Sequence, residues 1–379
     1  MIYIGHYDLY NSDVKRAFTT SAANKIQYML KSFSKAYEQV RVFSFSKNLE
    51  TTRKIYSSEI KHEGDVSIYF PISWGGKGKL HSFLATLWLK ISLFLYLLRY
   101  AHKNEHVYVY HATSYGHSIL WAKSIKKFKL IIEVEEIYSD VQKTKKRLKK
   151  YEYLYFNNAN AFIFSTNLLN EKINKNDKPY IVINGTYEVE NIISEKFKDN
   201  KIHVVYAGTF DIRKGGAAAA AAAAFLNQNY VIHICGFGTE KDTETLLELI
   251  ERSNAMNACK IEFHGLLTGH DYISFLQQCH IGLSTQDPNA SFNATSFPSK
   301  ILSYLANGLS VVSIRIPAIE KSEVGKYVTY YDEQTPQNIA NAIMKADISI
   351  DFRNVISNLS DKYDRNVVDF KFKLLKRKK

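Results

Sequence analysis

One feature constrains this chain more than any other: short, almost uninterrupted runs of β-branched and aromatic residues recur along it, with helical stretches between them. In the first half these runs are Ile2–Tyr7, Val40–Phe45, Val66–Tyr69, Val107–His111, Leu130–Val134, Ala161–Ser165 and Tyr180–Ile183. The second half offers His203–Ala207, Val231–Cys235, Ile261–Phe263, Ile281–Ser284, Ser310–Ser313 and Tyr327–Tyr330. A strand apolar on both faces needs cover on both, so this alternation predicts parallel sheets sandwiched by helices, the doubly wound pattern, here written twice. A chain of 379 residues is also too long for one ordinary core. The polar stretch Tyr187–Asn200, after Asn184-Gly185-Thr186, marks the break, and HVVYAG restarts the pattern as a first strand would. The expected organisation is a Rossmann-like domain over 1–190, a second over 191–350, and a helix with a basic tail over 351–379 packing back on the first domain. Two such domains would bring the carboxyl ends of both sheets to a shared cleft, where open α/β sheets bind ligands.

Composition excludes several classes. Three cysteines, Cys235, Cys259 and Cys279, make neither a disulfide framework nor a metal-ligand spacing, which fits a reducing compartment. The opening MIYIGHYDLY reads as a strand and lacks the basic-then-apolar order of a signal peptide, so a cytoplasmic location is expected. A formal charge of +13 points to an acidic partner. Ten lysines or arginines fall between Lys123 and Lys150, including the run from Lys143, and the chain ends KFKLLKRKK. A solvated helix face with a basic tail and a role on an anionic membrane surface weigh evenly here. Nucleic acid is not expected, because no recognition signature accompanies the charge. The segment Phe83–Tyr100 is long and apolar, but Lys90 and Arg99 make it a poor span and a better buried or membrane-contacting crossover helix. The run Ala217–Ala224 follows Gly215-Gly216 as a helix; tight helix–sheet packing accounts for it, as would positions of undetermined identity written as alanine.

Chemistry concentrates at three places in the second half. In Tyr206-Ala207-Gly208-Thr209-Phe210-Asp211-Ile212-Arg213-Lys214-Gly215-Gly216 a buried strand ends in glycine, and two cations precede a helix start. Free N–H groups, the positive end of the helix dipole and the charges of Arg213 and Lys214 suit a pyrophosphate, against the plainer reading of a turn with two solvated cations. In SFNATSFPSKILSYLAN, Ser299 is placed as an N-cap and Lys300 sits in the first helical turn, where the dipole would prefer an acid; Gly308 ends the helix. That misplaced cation suggests an anionic ligand, with an exposed lysine on an ordinary helix of equal weight. Gly236-Phe237-Gly238 follows the strand VIHIC and is a weaker signal. In the first half, Glu133, Glu135 and Glu136 end LIIEVEE and His111 ends VYVYH, candidates for acid/base or hydroxyl-binding work or for structure.

Together these stretches resemble the GT-B fold and, within it, the retaining GT4 glycosyltransferases of the bacterial surface-polysaccharide type. Gly208-x(5)-Lys214-Gly215, Gly236-x-Gly238, and Phe297-Pro298-Ser299-Lys300 through Gly308 into Val311-Val312 carry the resemblance. It implies an α/β protein of two Rossmann-like domains facing a central cleft, and metal-independent, retaining transfer of a sugar from a nucleoside-diphosphate donor, a UDP-sugar favoured. The donor sugar nucleotide is a co-substrate, and no cofactor or metal is implied. The acceptor would be a saccharide or a polyprenyl-diphosphate-linked saccharide, reached from the cytoplasm or from the inner face of the cell membrane. The resemblance places Arg213 and Lys214 at the donor diphosphate as catalytic residues, and Glu136, at its strand end, is the catalytic candidate of the first half. Substrate contacts are expected from Gly208, Thr209, Gly236, Phe237, Gly238, Thr295, Ser296, Phe297, Ser299, Lys300 and Ser303, and from His111 and Glu135 at their strand ends. The glutamate pair such enzymes carry eight positions apart falls here on Thr295 and Ser303, their arginine after the glycine on Thr209, and their first-domain histidine on Glu135 or Glu136. Two other classes stay open: a sugar-nucleotide 2-epimerase of the same fold, and a non-catalytic two-lobed binding protein.

Overall fold

A computed structural model describes residues 1–9, 12–141, 146–256, 258–290, 293 and 295–376. Tyr10 and Asn11 of the first loop, Lys143 and Lys145 of the basic run, Ser291, Phe292 and Ala294 of the second loop, and the last three residues of the tail lie outside the described residues.

The chain divides into two compact units. One comprises Met1–Ile183 with the helical residues from Lys362 onward, the other Asn184–Asp361. The division falls at 183/184, a few residues before the polar stretch expected to carry it. The terminal helix, Arg353–Lys376, begins in the second unit and contributes its later turns to the first. There Asp364 accepts hydrogen bonds from Ser32 and Lys35, and the Lys371 ammonium reaches the Ala36 carbonyl at 2.6 Å.

The first unit contains β1 (Ile2–Gly5), β2 (Val40–Ser44), β3 (Ile55–Tyr56), β4 (Glu59–Glu63), β5 (Val66–Phe70), β6 (Ser73–Trp74), β7 (His106–Tyr110), β8 (Lys129–Val134), β9 (Ala161–Phe164) and β10 (Tyr180–Val182). Eight of these form one sheet in the order β10-β9-β8-β7-β1-β2-β5-β4, while β3 and β6 pair separately. Every pairing in the large sheet is parallel except β4 with β5. β4 (EIKHE) is an edge strand with mostly exposed side chains, so it carries no apolar run and escaped the sequence pattern. The strands β1, β2, β8 and β9 are buried on both faces, as their composition requires.

The helix Lys79–Tyr100 is 22 residues long and apolar enough to cross a membrane. Its two faces differ. Leu89, Leu93, Tyr96 and Leu97 join the core cluster with Ile2, Phe43 and Val107. Leu80, Phe83, Leu84, Leu87, Ile91 and Leu95 form the opposite, exposed stripe.

The second unit contains β11 (Ile202–Thr209), β12 (Tyr230–Phe237), β13 (Lys260–Gly265), β14 (Ile281–Ser284), β15 (Ser310–Ile314) and β16 (Val328–Tyr331). They form one parallel sheet in the order β13-β12-β11-β14-β15-β16. This is the Rossmann order, and the parallel strands of the first unit repeat it. The order reverses between β11 and β14 in the second unit and between β1 and β7 in the first. At such a switch point the loops leaving two adjacent strands run in opposite directions and open a crevice.

Candidate functional site

At the carboxyl edge of the second unit, the loops leaving β11 and β14 are bound to each other. The Asp287 N–H donates to the Arg213 carbonyl at 3.0 Å, and the Thr285 hydroxyl donates to the Gly215 carbonyl at 2.7 Å. Gly215 has φ +95, and a Cβ there would stand 1.9 Å from the Thr285 carbonyl oxygen, so the approach needs glycine. The same holds at Gly236, with φ +141 and a virtual Cβ 1.7 Å from the Gly208 oxygen. Gly238 leaves its space to Phe210, and Phe237 is exposed, contributing its carbonyl to the Phe210 N–H at 2.8 Å.

Lys300 is the most unusual side chain at this edge. It opens the short helix Lys300–Ala306, and its Nζ lies 4.0 Å from the centre of the Tyr206 ring. A Cβ on Gly208 would stand 2.8 Å from that nitrogen, so the missing side chain makes room for the ammonium. The residue is half-buried. Burial, reinforced by the nearby Lys214 cation, brings its pKa down to about 7. No carboxylate forms an ion pair with Lys300 among the described residues; the charge acting on it is another cation. A cation held over an aromatic face beside a second cation is an arrangement short of negative charge, and it can stabilise an anion.

Tyr206 fixes this geometry from below. Its hydroxyl lies 2.8 Å from the Thr209 carbonyl and 2.9 Å from the Lys214 carbonyl, tying the end of β11 to the cationic turn. Tyr304 does the same for β14: its hydroxyl accepts from the Ala207 N–H at 2.9 Å and lies 3.3 Å from the Leu283 carbonyl. Gly282 leaves room for that ring, since a Cβ there would stand 2.2 Å from it.

The expected contacts divide into those gathered here and those turned elsewhere. Gly208, Thr209, Lys214, Gly236 and Lys300 belong to the edge just described. Arg213 is committed to Asp211: Nε donates to Oδ1 at 3.0 Å and Nη2 to Oδ2 at 2.5 Å, holding the Asp211 carboxyl down at about 2. The Asp211 carboxylate also accepts the Arg213 N–H, a tight local turn that takes up the guanidinium. Ser299 precedes the helix but its side chain makes no cap hydrogen bond, because its backbone is already helical (φ −55, ψ −25). Thr295 and Phe297 are buried, and the Ser296 hydroxyl is withdrawn from water with no hydrogen-bond partner among the described residues. Ser303 lies one turn into the helix, 3.4 Å from the Tyr272 hydroxyl.

In the first unit, His111 is 2 % exposed and stacks on Tyr138 at 4.9 Å between ring centres, with Nε2 3.4 Å from Glu152. Burial pushes its pKa down to about 3, so the enclosed ring is neutral. Glu135 is half-buried, with Lys25 3.9 Å away; burial raises its pKa, opposed by that cation. Glu136 follows it, also half-buried. Glu133 is fully enclosed, takes the Tyr3 hydroxyl at 2.5 Å, and is pushed up to about 7 by burial. Sequence reasoning gave no role to Tyr206. It reads as one more strand aromatic, and only the distant Lys300 shows its use.

No protein-family model and no curated protein sequence matches the chain. Solved structures do. A trehalose-6-phosphate synthase from E. coli bound with UDP-2-fluoro glucose aligns with a TM-score of 0.70 at 10 % identity, covering 98 % of both chains. Anabaena Alr3699/HepE in complex with UDP aligns at 0.63 and 14 % identity over 97 % of this chain and 98 % of that one. The trehalose 6-phosphate synthase of Burkholderia multivorans aligns at 0.64 and 10 % identity, covering 98 % and 93 %. The chain has the GT-B fold. At these identities the likeness establishes the GT-B architecture, and the chemistry has to be argued from the residues themselves.

Proposed function

We propose that this GT-B protein is a glycosyltransferase that takes a sugar from a nucleoside-diphosphate donor, with UDP-sugars favoured. The observation that carries the reading is the Lys300 ammonium, partly desolvated without a carboxylate partner, over Tyr206 and beside Lys214 at the switch point of the second unit. A diphosphate supplies the missing negative charge. As the donor bond breaks, charge accumulates on the departing diphosphate, and fixed cations there lower the barrier. Lys300 and Lys214 would meet that need without a metal, and retention of configuration is the outcome the GT4 resemblance favours. Arg213 would join them only by leaving Asp211.

For the acceptor, we favour a polyprenyl-diphosphate-linked saccharide at the cytoplasmic face of the membrane, with a role in surface-polysaccharide assembly. What supports this is the exposed apolar stripe of Lys79–Tyr100 on a chain of net charge +13.

The donor reading is tested by calorimetry with UDP, GDP, ADP and CMP and their sugars on wild type and Lys300→Ala. One nucleotide series should bind wild type and lose at least tenfold in the variant. Binding indifferent to Lys300, or none at all, would remove the basis for a transferase.

A further inference from the structure

The sheet of the second unit carries another cluster of chemistry-bearing side chains, on the strand bodies rather than on the loops that form the donor edge. His233 lies on β12 and pairs across the ladder with Glu262 on β13. His264 is two residues beyond Glu262 and so shares its face. The β12–β13 register slips between Ile234 and Cys235, leaving His264 opposite no residue of β12. Such a bulge re-aims a side chain, and here His264 turns toward His233.

The three ligating atoms form a small triangle. His233 Nδ1 is 3.0 Å from His264 Nε2 and 3.4 Å from Glu262 Oε2, and the remaining edge is 3.9 Å. Ligands at zinc bond lengths of about 2.0–2.1 Å in tetrahedral array stand about 3.3 Å apart. A point equidistant from these three atoms lies about 2.0 Å from each, within that bond range.

We propose that His233 Nδ1, His264 Nε2 and Glu262 Oε2 bind a divalent transition-metal ion of the zinc class, with water completing the tetrahedron. The surrounding hydrogen bonds suit the role. His203 Nε2 lies 2.8 Å from Asp199 Oδ1, and His203 Nδ1 lies 2.8 Å from His233 Nε2. With the protons running toward Asp199, the His233 Nε2–H donates to His203, and Nδ1 is left with its lone pair facing the cluster. Lys260 holds the other oxygen of Glu262 at 2.6 Å. Without an ion, the His264 Nε2–H donates to the His233 Nδ1 lone pair at 3.0 Å, and the Glu262 carboxylate oxygen faces the same nitrogen at 3.4 Å. An ion converts that juxtaposition into coordination, and His264 needs only to carry its proton on Nδ1 to offer Nε2.

Glu262 and His264 are partly exposed, which gives an ion a way in, and Phe275 packs against His264 at 4.5 Å. The ion clasps β12 to β13.

The test uses the untagged full chain at pH 7.5, titrated with Zn2+ against a chromophoric chelator and separately with Co2+ followed by visible absorption. The expected results are one ion per chain, a four-coordinate Co2+ spectrum, and at least tenfold weaker binding in both His264→Asn and Glu262→Gln. Less than one equivalent, a six-coordinate spectrum, or affinity retained in both variants would overturn the assignment. The wild-type Co2+ spectrum decides the matter even where a variant folds poorly.

Discussion

Proton linkage at Lys300 gives a sharp test of the donor site. In the unliganded protein its pKa stands at about 7, lowered first by burial and then by Lys214. Only the ammonium form pairs with a diphosphate, so binding draws on the protonated fraction and raises the pKa in the complex. The sign follows: apparent affinity is near its maximum below pH 7 and falls as pH rises through it. With a free pKa of about 7, the protonated fraction drops by about 30-fold between pH 6.0 and 8.5, equivalent to about 2 kcal/mol of binding free energy. UDP-glucose is the suitable probe, because its diphosphate is already fully ionised over that range, whereas the terminal phosphate of UDP titrates near 6. Calorimetry in two buffers of different ionisation enthalpy should report close to one proton taken up per UDP-glucose bound at pH 8. Lys300→Arg, charged throughout, should abolish both the pH dependence and the proton uptake. If wild type binds UDP-glucose with constant affinity from pH 6.0 to 8.5 and takes up no proton, Lys300 does not face the diphosphate and the charge argument fails.

Four further outcomes follow from named residues. Gly208→Ala should place its Cβ against the flexible end of Lys300 and leave the melting temperature within a few degrees of wild type while weakening UDP-glucose at least tenfold by calorimetry; Gly215→Ala should instead destabilise the protein by on the order of 3 kcal/mol in urea unfolding, because it meets backbone at φ +95. Glu133→Gln should raise the melting temperature at pH 8 and lose most of that advantage by pH 5: the folded-state pKa of this carboxyl is raised to about 7 by burial, so stability is lost as pH rises from its unfolded value through 7, and the amide escapes that loss. Phe83→Glu combined with Leu87→Glu, on the exposed stripe of Lys79–Tyr100, should abolish sedimentation with anionic vesicles at low salt, and vesicle binding unchanged in that variant would remove the membrane proposal.

The fold was legible where burial dictates composition. Strands such as β8 and β11 are enclosed on both faces and must be apolar, so their sequences announce them. β4 is an exposed antiparallel edge whose five residues alternate without any apolar run, and nothing local distinguishes EIKHE from a loop. The site was legible where backbone geometry restricts residue type: Gly215 and Gly236 are required by positive φ and close approach, and both were singled out. It was illegible where tertiary partners decide. His111 and Glu133 each come at a strand end and look alike in sequence; His111 is enclosed against Tyr138, and Glu133 is enclosed so fully that burial raises its pKa despite the Tyr3 hydroxyl and the nearby Lys25. Arg213 looked as available as Lys214 until the turn gave it to Asp211. The histidine cluster draws on two strands, β12 and β13, and its spacing along the chain matches no local motif.

Two independent considerations converge on the edge between β11 and β14. Topology says where a ligand belongs, because the reversal of strand order there opens the only kind of gap an open α/β sheet provides on its own. Electrostatics says what kind of ligand belongs, because a partly desolvated ammonium without a carboxylate partner lowers stability in the empty protein and is stabilised by an anion. Neither consideration depends on the other, and neither was needed to align the chain with its structural neighbours. A lysine kept merely for packing would point its ammonium to water, as long side chains on half-buried helices do. Lys300 turns inward over Tyr206, into room that a side chain on Gly208 would fill. Lys300 lies far along the chain from Tyr206 and Gly208, and the joint geometry of the three has a clear physical use when something negative sits against them.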